Sequence, residues 1–328
     1  MDMVLFTSDW RKAVTQLLPA VREQLQVNEP LSLHTTLRVG GPADFFYVAD
    51  NREFLVHTIQ AAHELHLPFC LLGEGSNVCV SDRGVRGLVI INRCRALNIG
   101  TTTTVDAGYN FMKLVVMSME ASLSGLEWGV GIPGAVGGAL VSNAGAYRGN
   151  IGPIVRSLEV VEEGIRKQVG PTWMEFSYRD SRLRRKSGDR SVIVSAQLEL
   201  KPDSKKSIRD RARDYQRQRI LKQPWLPSAG SFFKNIEGNF SLANSLPGLP
   251  EPMRKMGRIP AAYLSEMCCC KGLTAGGAAV SRRHANFIVN RGGASAENVR
   301  ELAGIVKKMV LEKFGVLLEE EVLYIGEW

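Results

Sequence analysis

A chain of 328 residues is long enough for two domains and for a sizeable hydrophobic core. Its 45% hydrophobic and 23% charged residues match a globular protein in water, and the absence of any uninterrupted apolar run of about 18 residues argues against a membrane span. The 41 Lys and Arg exceed the 33 Asp and Glu, a net charge of +8 that selects an anionic partner but suits nucleic acid, an acidic membrane surface and phosphorylated small ligands equally.

The N-terminal stretch Met1 to Asp9 lacks a positive region followed by an apolar one, so no secretory leader is read there. Trp10 to Gln26 has helical apolar spacing and predicts a helix kinked at Pro19. Asp44 to Ala49, aromatic and β-branched, predicts a strand. Asn51 can cap a helix running to His66, with Leu55, Ile59, Ala62 and Leu65 on one face. The short apolar strand Phe69 to Leu72 runs into Gly73-Glu-Gly-Ser-Asn77 and then Val78-Cys-Val80, an arrangement that lets backbone N–H groups converge on an anion.

Strands follow at Gly87 to Ile91 and Thr101 to Asp106, then a helix from Asn110 to Ser122. Gly129, Gly131 and Gly134 match the dinucleotide pattern GxGxxG. The match sits deep in the domain, carries Pro133 and has no acidic residue at the required distance, all against a Rossmann unit. Strands are predicted at Val155 to Glu162 and Ser191 to Leu200. The polar break Lys201 to Lys206 marks a domain boundary, followed by a basic helix from Ser207 to Lys222 whose charges read as a solvated face.

Pro227-Ser-Ala-Gly-Ser-Phe-Phe-Lys-Asn235 gathers a hydroxyl, a cation and an amide within a few positions of Gly230. A helix is predicted at Ala261 to Cys270, and another from the N-cap Ser295 to Gly315 with Val299, Leu302, Val306, Met309 and Val310 buried. Val316 to Ile325 predicts a terminal strand. Cys70, Cys79, Cys94 and the run Cys268 to Cys270 offer no CxxC pair, so neither a disulfide framework nor a metal site is expected, and a reducing cytoplasm is the simplest setting. Helices mixed with short strands and no repeats give an α+β class.

The order of the polar and glycine-rich blocks adds more. Thr36 to Ala43, Gly73 to Asn77, Gly131 to Gly138, Asn143 to Tyr147, Tyr178-Arg-Asp-Ser181, Ala229 to Asn235, His284 to Asn290 and Leu318-Glu-Glu-Glu-Val322 together resemble the UDP-N-acetylenolpyruvoylglucosamine reductase (MurB) family, over about residues 31 to 326. The resemblance implies a two-lobed FAD-binding domain of the vanillyl-alcohol-oxidase (PCMH) type over residues 36–201, after an N-terminal helical segment 1–35, and a smaller substrate-binding domain over 202–328. It also implies the compact second type of the family, because the span from Arg179 to Ser231 is short.

In that family NADPH reduces FAD, and the reduced flavin passes hydride to C3 of the enolpyruvyl group of UDP-N-acetylglucosamine enolpyruvate. The resemblance implies FAD contacts from Arg38, Val39, Gly40, Gly41, Gly73, Glu74, Gly75, Ser76, Asn77, Gly131, Ile132, Pro133, Gly134, Gly137, Gly138, Ala144, Gly145 and Ala146. It gives Arg179 and Glu321 to stabilisation of the developing charge, Ser231 to proton donation at C2, and Lys222, Asn235 and His284 to the substrate, with Arg219 as a further cation for the diphosphate. A monomer without nucleic acid or inserted membrane is the expected state. Two departures stand out: Ile236 where a proline commonly follows, and Arg148 where a glycine often does. From the residues alone, Arg179 reads first as the ion-pair partner of Asp180 and Glu321 as an exposed strand carboxylate like Glu319 or Glu320, and His284 keeps the alternative of a core histidine. A different flavin oxidoreductase and a basic nucleic-acid-binding protein remain open at this point.

Overall fold

The structure is a computed structural model that describes residues 10–185 and 190–328; the stretch read for a leader lies outside that range. The chain forms two compact units. The first is built from Ala43–Glu74 and Val85–Ile220 with the residues before Pro30, the second from Pro30–Pro42, Gly75–Gly84 and Leu221–Trp328.

One sheet of the first unit has strand order Gln26–Pro30, Pro42–Ala49, Val85–Asn92, Phe69–Leu72. Val85–Asn92 pairs in parallel with both Pro42–Ala49 and Phe69–Leu72. Parallel strands of one sheet need a crossover, and the helix Arg52–Glu64 supplies the one from Pro42–Ala49 to Phe69–Leu72, on either side of Val85–Asn92. Its cap is the expected one: Asn51 Oδ1 accepts from the N–H groups of Glu53 at 2.9 Å and Phe54 at 3.2 Å. Leu55, Ile59 and Ala62 are fully buried with Tyr47, Leu88 and Ile90. The run Leu88 to Ile91 is buried on both faces, which is why it reads as continuously apolar rather than alternating.

A second sheet in this unit is antiparallel, in the order Ile165–Val169, Val155–Glu162, Val192–Glu199, Thr102–Asp106, Leu97–Asn98. Its edge strand Ile165–Val169 is not anticipated, because its side chains are mostly exposed and show no period of two. The local signal was the turn: Glu163 and Gly164 both take positive φ, 52° and 78°, as a two-residue hairpin requires. The basic helix spans Lys205–Lys222, and much of its charge is neutralised within the fold. Lys205 and Arg209 pair with Glu120, Arg211 with Glu127 and Asp203, and Lys206 with Asp210.

The second unit wraps the helix Ala296–Phe314 with an antiparallel meander of Thr274–Ala275, Ala278–Val280 and Ile288–Asn290, and a parallel pair of Val78–Val80 with Leu323–Ile325. Val299, Leu302, Val306 and Val310 of the helix share a core with Phe232, Phe233, Leu37 and Val39. Burying each phenylalanine contributes roughly 1.5–3 kcal/mol.

Three elements differ from expectation. The N-terminal helix is two short ones, Trp10–Val14 and Pro19–Arg22, before the strand at Gln26. Proline fits the first helical turn but not an interior, so Pro19 starts a helix rather than kinking one. The helix at Ala261 ends at Met267 because Cys269 turns left-handed at φ 56°. Cys268 and Cys270 pack inward, and burial raises the Cys270 thiol to about 11. The terminal strand shrinks to Leu323–Ile325, since Glu319 to Glu321 bond instead to the backbone of Phe232 to Lys234.

Candidate active site

In the first unit the strand Phe69–Leu72 delivers Gly73 against the glycine-rich segment. A Cβ on Gly73 would lie 2.7 Å from the Cβ of Ala135. Glu74 accepts a hydrogen bond from Asn110 Nδ2 at 2.7 Å. Gly131, Ile132, Pro133 and Gly134 form a turn pinned at both ends. The Ile132 N–H donates to Gly129 O, the Phe111 N–H to Gly134 O, and those of Val136 and Gly137 to Tyr109 O and Ala107 O. The helix Val136–Val141 starts there, and its first turn holds Gly137 and Gly138. Gly138 is the open position: a Cβ built on it meets no heavy atom within 4 Å. Ala144 is tied to Ala139 and Ile151, and Gly145–Ala146 pairs with Gly149–Asn150. Backbone and methyl groups without bulk at these positions fit a flat, phosphorylated cofactor such as FAD.

Arg179 sits at the tip of a tight turn in which Ser177 and Asp180 exchange backbone hydrogen bonds of 3.1 and 3.2 Å. Its φ of 53° is in the left-handed region, which raises a non-glycine residue by about 1–2 kcal/mol. The turn is held from below. The buried Ser181 hydroxyl donates to Val141 O at 2.6 Å, and Asn143 Nδ2 donates to Ser177 O at 2.7 Å. Asp180 faces Arg185 at 3.2 Å and Arg184 at 4.0 Å, so these two arginines draw its carboxylate. Arg219 lies 5.5 Å from the Tyr147 ring, which stacks on Tyr215 at 4.3 Å. Burial holds Arg219 below the ordinary arginine range; the Tyr147 hydroxyl opposes that, and the charge of Arg179 adds to it. Two guanidinium groups that repel one another form an anion-receptive surface.

In the second unit, Arg38 to Gly41 follow a short 3-10 turn, Leu31–His34, and return against Val78–Val80; the Gly41 N–H donates to Ser81 O at 2.8 Å. Val39 is buried and Arg38 takes φ 57°. Gly75, with φ 59°, passes so near His34 that a Cβ would sit 2.1 Å from its carbonyl oxygen, and only glycine fits. The Thr36 N–H donates to Gly75 O at 3.1 Å, and its hydroxyl to Ser228 O at 2.8 Å. Ser76 leads into Asn77, whose Nδ2 donates to Glu321 O at 3.1 Å and whose carbonyl accepts from Leu323 N at 3.0 Å. These glycine-rich loops are therefore wired to the segments that carry Ser231 and Glu321.

Ser231 is half-buried, and its hydroxyl makes no hydrogen bond among the described residues. The Glu321 N–H donates to Phe232 O at 2.8 Å, which sets Glu321 opposite the residue after Ser231. The cation of this stretch, Lys234, is buried and bonded to Glu319. Asn235 caps the helix Ala261–Met267 by accepting the Ala261 N–H at 3.2 Å. His284 Nδ1 accepts from the Asn286 N–H at 3.2 Å, leaving Nε2 as the protonated, donating nitrogen of the neutral ring. Burial first, then the charges of Lys222 and Lys271, push the His284 pKa below its usual value, and Glu266 opposes them.

The model of the UDP-N-acetylenolpyruvoylglucosamine reductase C-terminal domain matches residues 221–325, and that of an FAD binding domain matches 43–164. A UDP-N-acetylenolpyruvoylglucosamine reductase of Clostridium perfringens (strain SM101 / Type A) is 36% identical over 308 residues, covering 93% of this chain and 94% of its own. That of Carboxydothermus hydrogenoformans is 36% identical over 325 residues, 97% and 100% of the two chains. The crystal structure of the reductase from Thermus caldophilus superposes with a TM-score of 0.73 at 33% identity, covering 92% of this chain and 99% of that one. The chain belongs to the UDP-N-acetylenolpyruvoylglucosamine reductase family.

It is thus an FAD-dependent oxidoreductase of α+β architecture, and the resemblance read from eight sequence blocks is correct. Ser231, Glu321, Asn235, His284 and Lys222 fall in the second unit, Arg179 and Arg219 in the first. The glycine blocks divide in the same way, Gly73 and Glu74 from Gly75, Ser76 and Asn77. Asn143, Thr36 and Asn286 escaped the sequence reading as supports, although all three lie inside the blocks that carry the family resemblance. Their partners are backbone atoms distant in sequence, which no local spacing encodes. Among the described residues, no group of three or more His, Cys, Asp or Glu could hold a metal ion, and no helix is long and apolar enough to cross a membrane.

Proposed function

We propose that this flavoenzyme uses NADPH to reduce the enolpyruvyl group of UDP-N-acetylglucosamine enolpyruvate, giving UDP-N-acetylmuramate for peptidoglycan synthesis in the cytoplasm, and that it works as a monomer without nucleic acid. The observation that carries the reading is the register at Phe232, which holds the unbonded hydroxyl of Ser231 and the carboxyl-bearing Glu321 on neighbouring backbone. FAD, when bound, would supply the two-electron chemistry that links NADPH oxidation to hydride addition at C3 of the enolpyruvyl group. Its holders are Arg38 to Gly41, Gly73 to Asn77, Gly131 to Gly134, Gly137, Gly138 and Ala144 to Ala146, within a cofactor domain of residues 36–201; residues 202–328 take the sugar nucleotide.

The remaining work belongs to side chains. Charge that develops on the substrate carboxylate during reduction is stabilised by Arg179 and by a hydrogen bond from Glu321. Ser231 transfers its hydroxyl proton to C2, a transfer that succeeds only because the carbanion there is very basic. Lys222, the neutral Nε2–H of His284 and the Asn235 amide hold the diphosphate, and Arg219 adds charge to Arg179. Ser231→Ala tests this. Flavin bleaching by NADPH is expected to continue near the wild-type rate while product formation falls on the order of 100-fold or more, the scale of a lost general acid. Near-normal turnover in that variant would refute the proton-donor role.

A further inference from the structure

Phe232 and Phe233, the two residues after Ser231, have every backbone hydrogen-bonding group engaged. The Phe232 N–H donates to Asn286 O at 2.7 Å, and its carbonyl accepts from Glu321 N at 2.8 Å. The Phe233 N–H donates to Asn286 Oδ1 at 3.0 Å, and its carbonyl accepts from Asn286 Nδ2 at 2.9 Å. Three of the four bonds therefore come from one residue, and the fourth joins the segment to Glu321. Asn286 is only 4% exposed, so water cannot replace it readily. Its own N–H donates to His284 Nδ1. The side-chain amide of Asn286 thus holds the backbone of Phe233, while its main-chain carbonyl holds Phe232 and its main-chain N–H fixes the tautomer of His284.

We propose that Asn286 is a positioning residue for proton delivery: it sets the register of Ser231 against Glu321, and touches no reacting atom itself. Gln is a methylene too long for the paired bonds to Phe233. Asp keeps the acceptor for the Phe233 N–H but turns a second oxygen on the Phe233 carbonyl, losing one bond and adding repulsion. The segment loosens and the Ser231 hydroxyl leaves its line to C2. Displacement of about 1 Å is enough to slow a positioned reaction on the order of 100-fold. The inference rests on the reading of Ser231 as proton donor.

The test is anaerobic stopped-flow spectroscopy of flavin-loaded Asn286→Asp and Asn286→Ser, with rates normalised to bound flavin so that misfolded protein contributes to neither phase. Reduction by NADPH is expected to stay within about twofold of wild type, while reoxidation by UDP-N-acetylglucosamine enolpyruvate slows roughly ten- to hundredfold. The solvent deuterium isotope effect on reoxidation should rise as proton transfer becomes slower. Equal slowing of both phases, which general loss of structure would produce, overturns the proposal, as does unchanged reoxidation. Ser231→Ala measured in parallel separates the two ideas. Fast reoxidation in that variant removes the proton-donor reading and this inference with it. Slow reoxidation there beside fast reoxidation in the Asn286 variants removes only the role of Asn286.

Discussion

Arg179, Arg148, Tyr147 and Asn143 all carry positive φ values, 53°, 69°, 50° and 42°. Such strain persists only where surroundings over-determine the backbone, and Asn143 shows how, with its Nδ2 on Ser177 and its Oδ1 accepting from Asn150 and Gly152. Arg148, the departure from the family's glycine, occupies a conformation in which glycine would be unstrained. His284 adds a pH dependence at this scale. Its folded pKa lies below the unfolded value of 6.5, so the unfolded chain takes up a proton first as pH falls. The stability this neutral histidine contributes is present above 6.5 and is lost as pH drops through the folded value. Denaturant melts at about pH 7.5 and about pH 5.5 should show wild type losing more stability than His284→Gln. Parallel losses would mean that His284 does not titrate with unfolding.

Helix ends illustrate what elements owe to distant residues. Ser295 caps the helix Ala296–Phe314 locally, accepting from Asn298 N while Asn298 Oδ1 accepts from Ser295 N. The first two N–H groups, of Ala296 and Glu297, are instead satisfied by Asp82 Oδ1 at 2.8 Å and Oδ2 at 3.0 Å. A carboxylate at a helix N-terminus also meets the positive end of the dipole. Asp82→Ala is therefore expected to destabilise by about 1–2 kcal/mol, readable as a lower urea midpoint at unchanged slope. An unchanged midpoint would show that water caps these groups equally well. At the other end Gly315, the terminus read from the sequence, closes the helix in the left-handed conformation.

For the molecule as a whole the charge now has a chemical use. Glu120, Glu127, Asp203 and Asp210 answer much of the basic helix. Arg219 and Lys222 near its end lie beside Arg179 and His284, respectively, and the proposed function gives them anionic ligands. FAD should then act as a folding ligand. Saturation at about 100 times its Kd is expected to add about 2.7 kcal/mol to stability, so stripping the yellow protein of flavin should lower its melting temperature and re-addition should restore it. A melting temperature indifferent to FAD would contradict cofactor binding by the native state alone.

Local chemistry determined much of this protein from sequence: the caps at Asn51 and Ser295, the strand spacing of Pro42–Ala49 and Val192–Glu199, and the ordered blocks that mark the family. Those features depend on residues within a few positions of one another, and propensity or motif order reports them directly. Tertiary structure alone decided that Asn286 holds Phe232 and Phe233, that Asn77 meets Glu321, that Asp82 caps a helix more than two hundred residues away, and that Glu319 to Glu321 break the terminal strand. Each is a hydrogen bond to a backbone group. Backbone groups are alike at nearly every residue, so only the folded path selects which of them a given side chain meets.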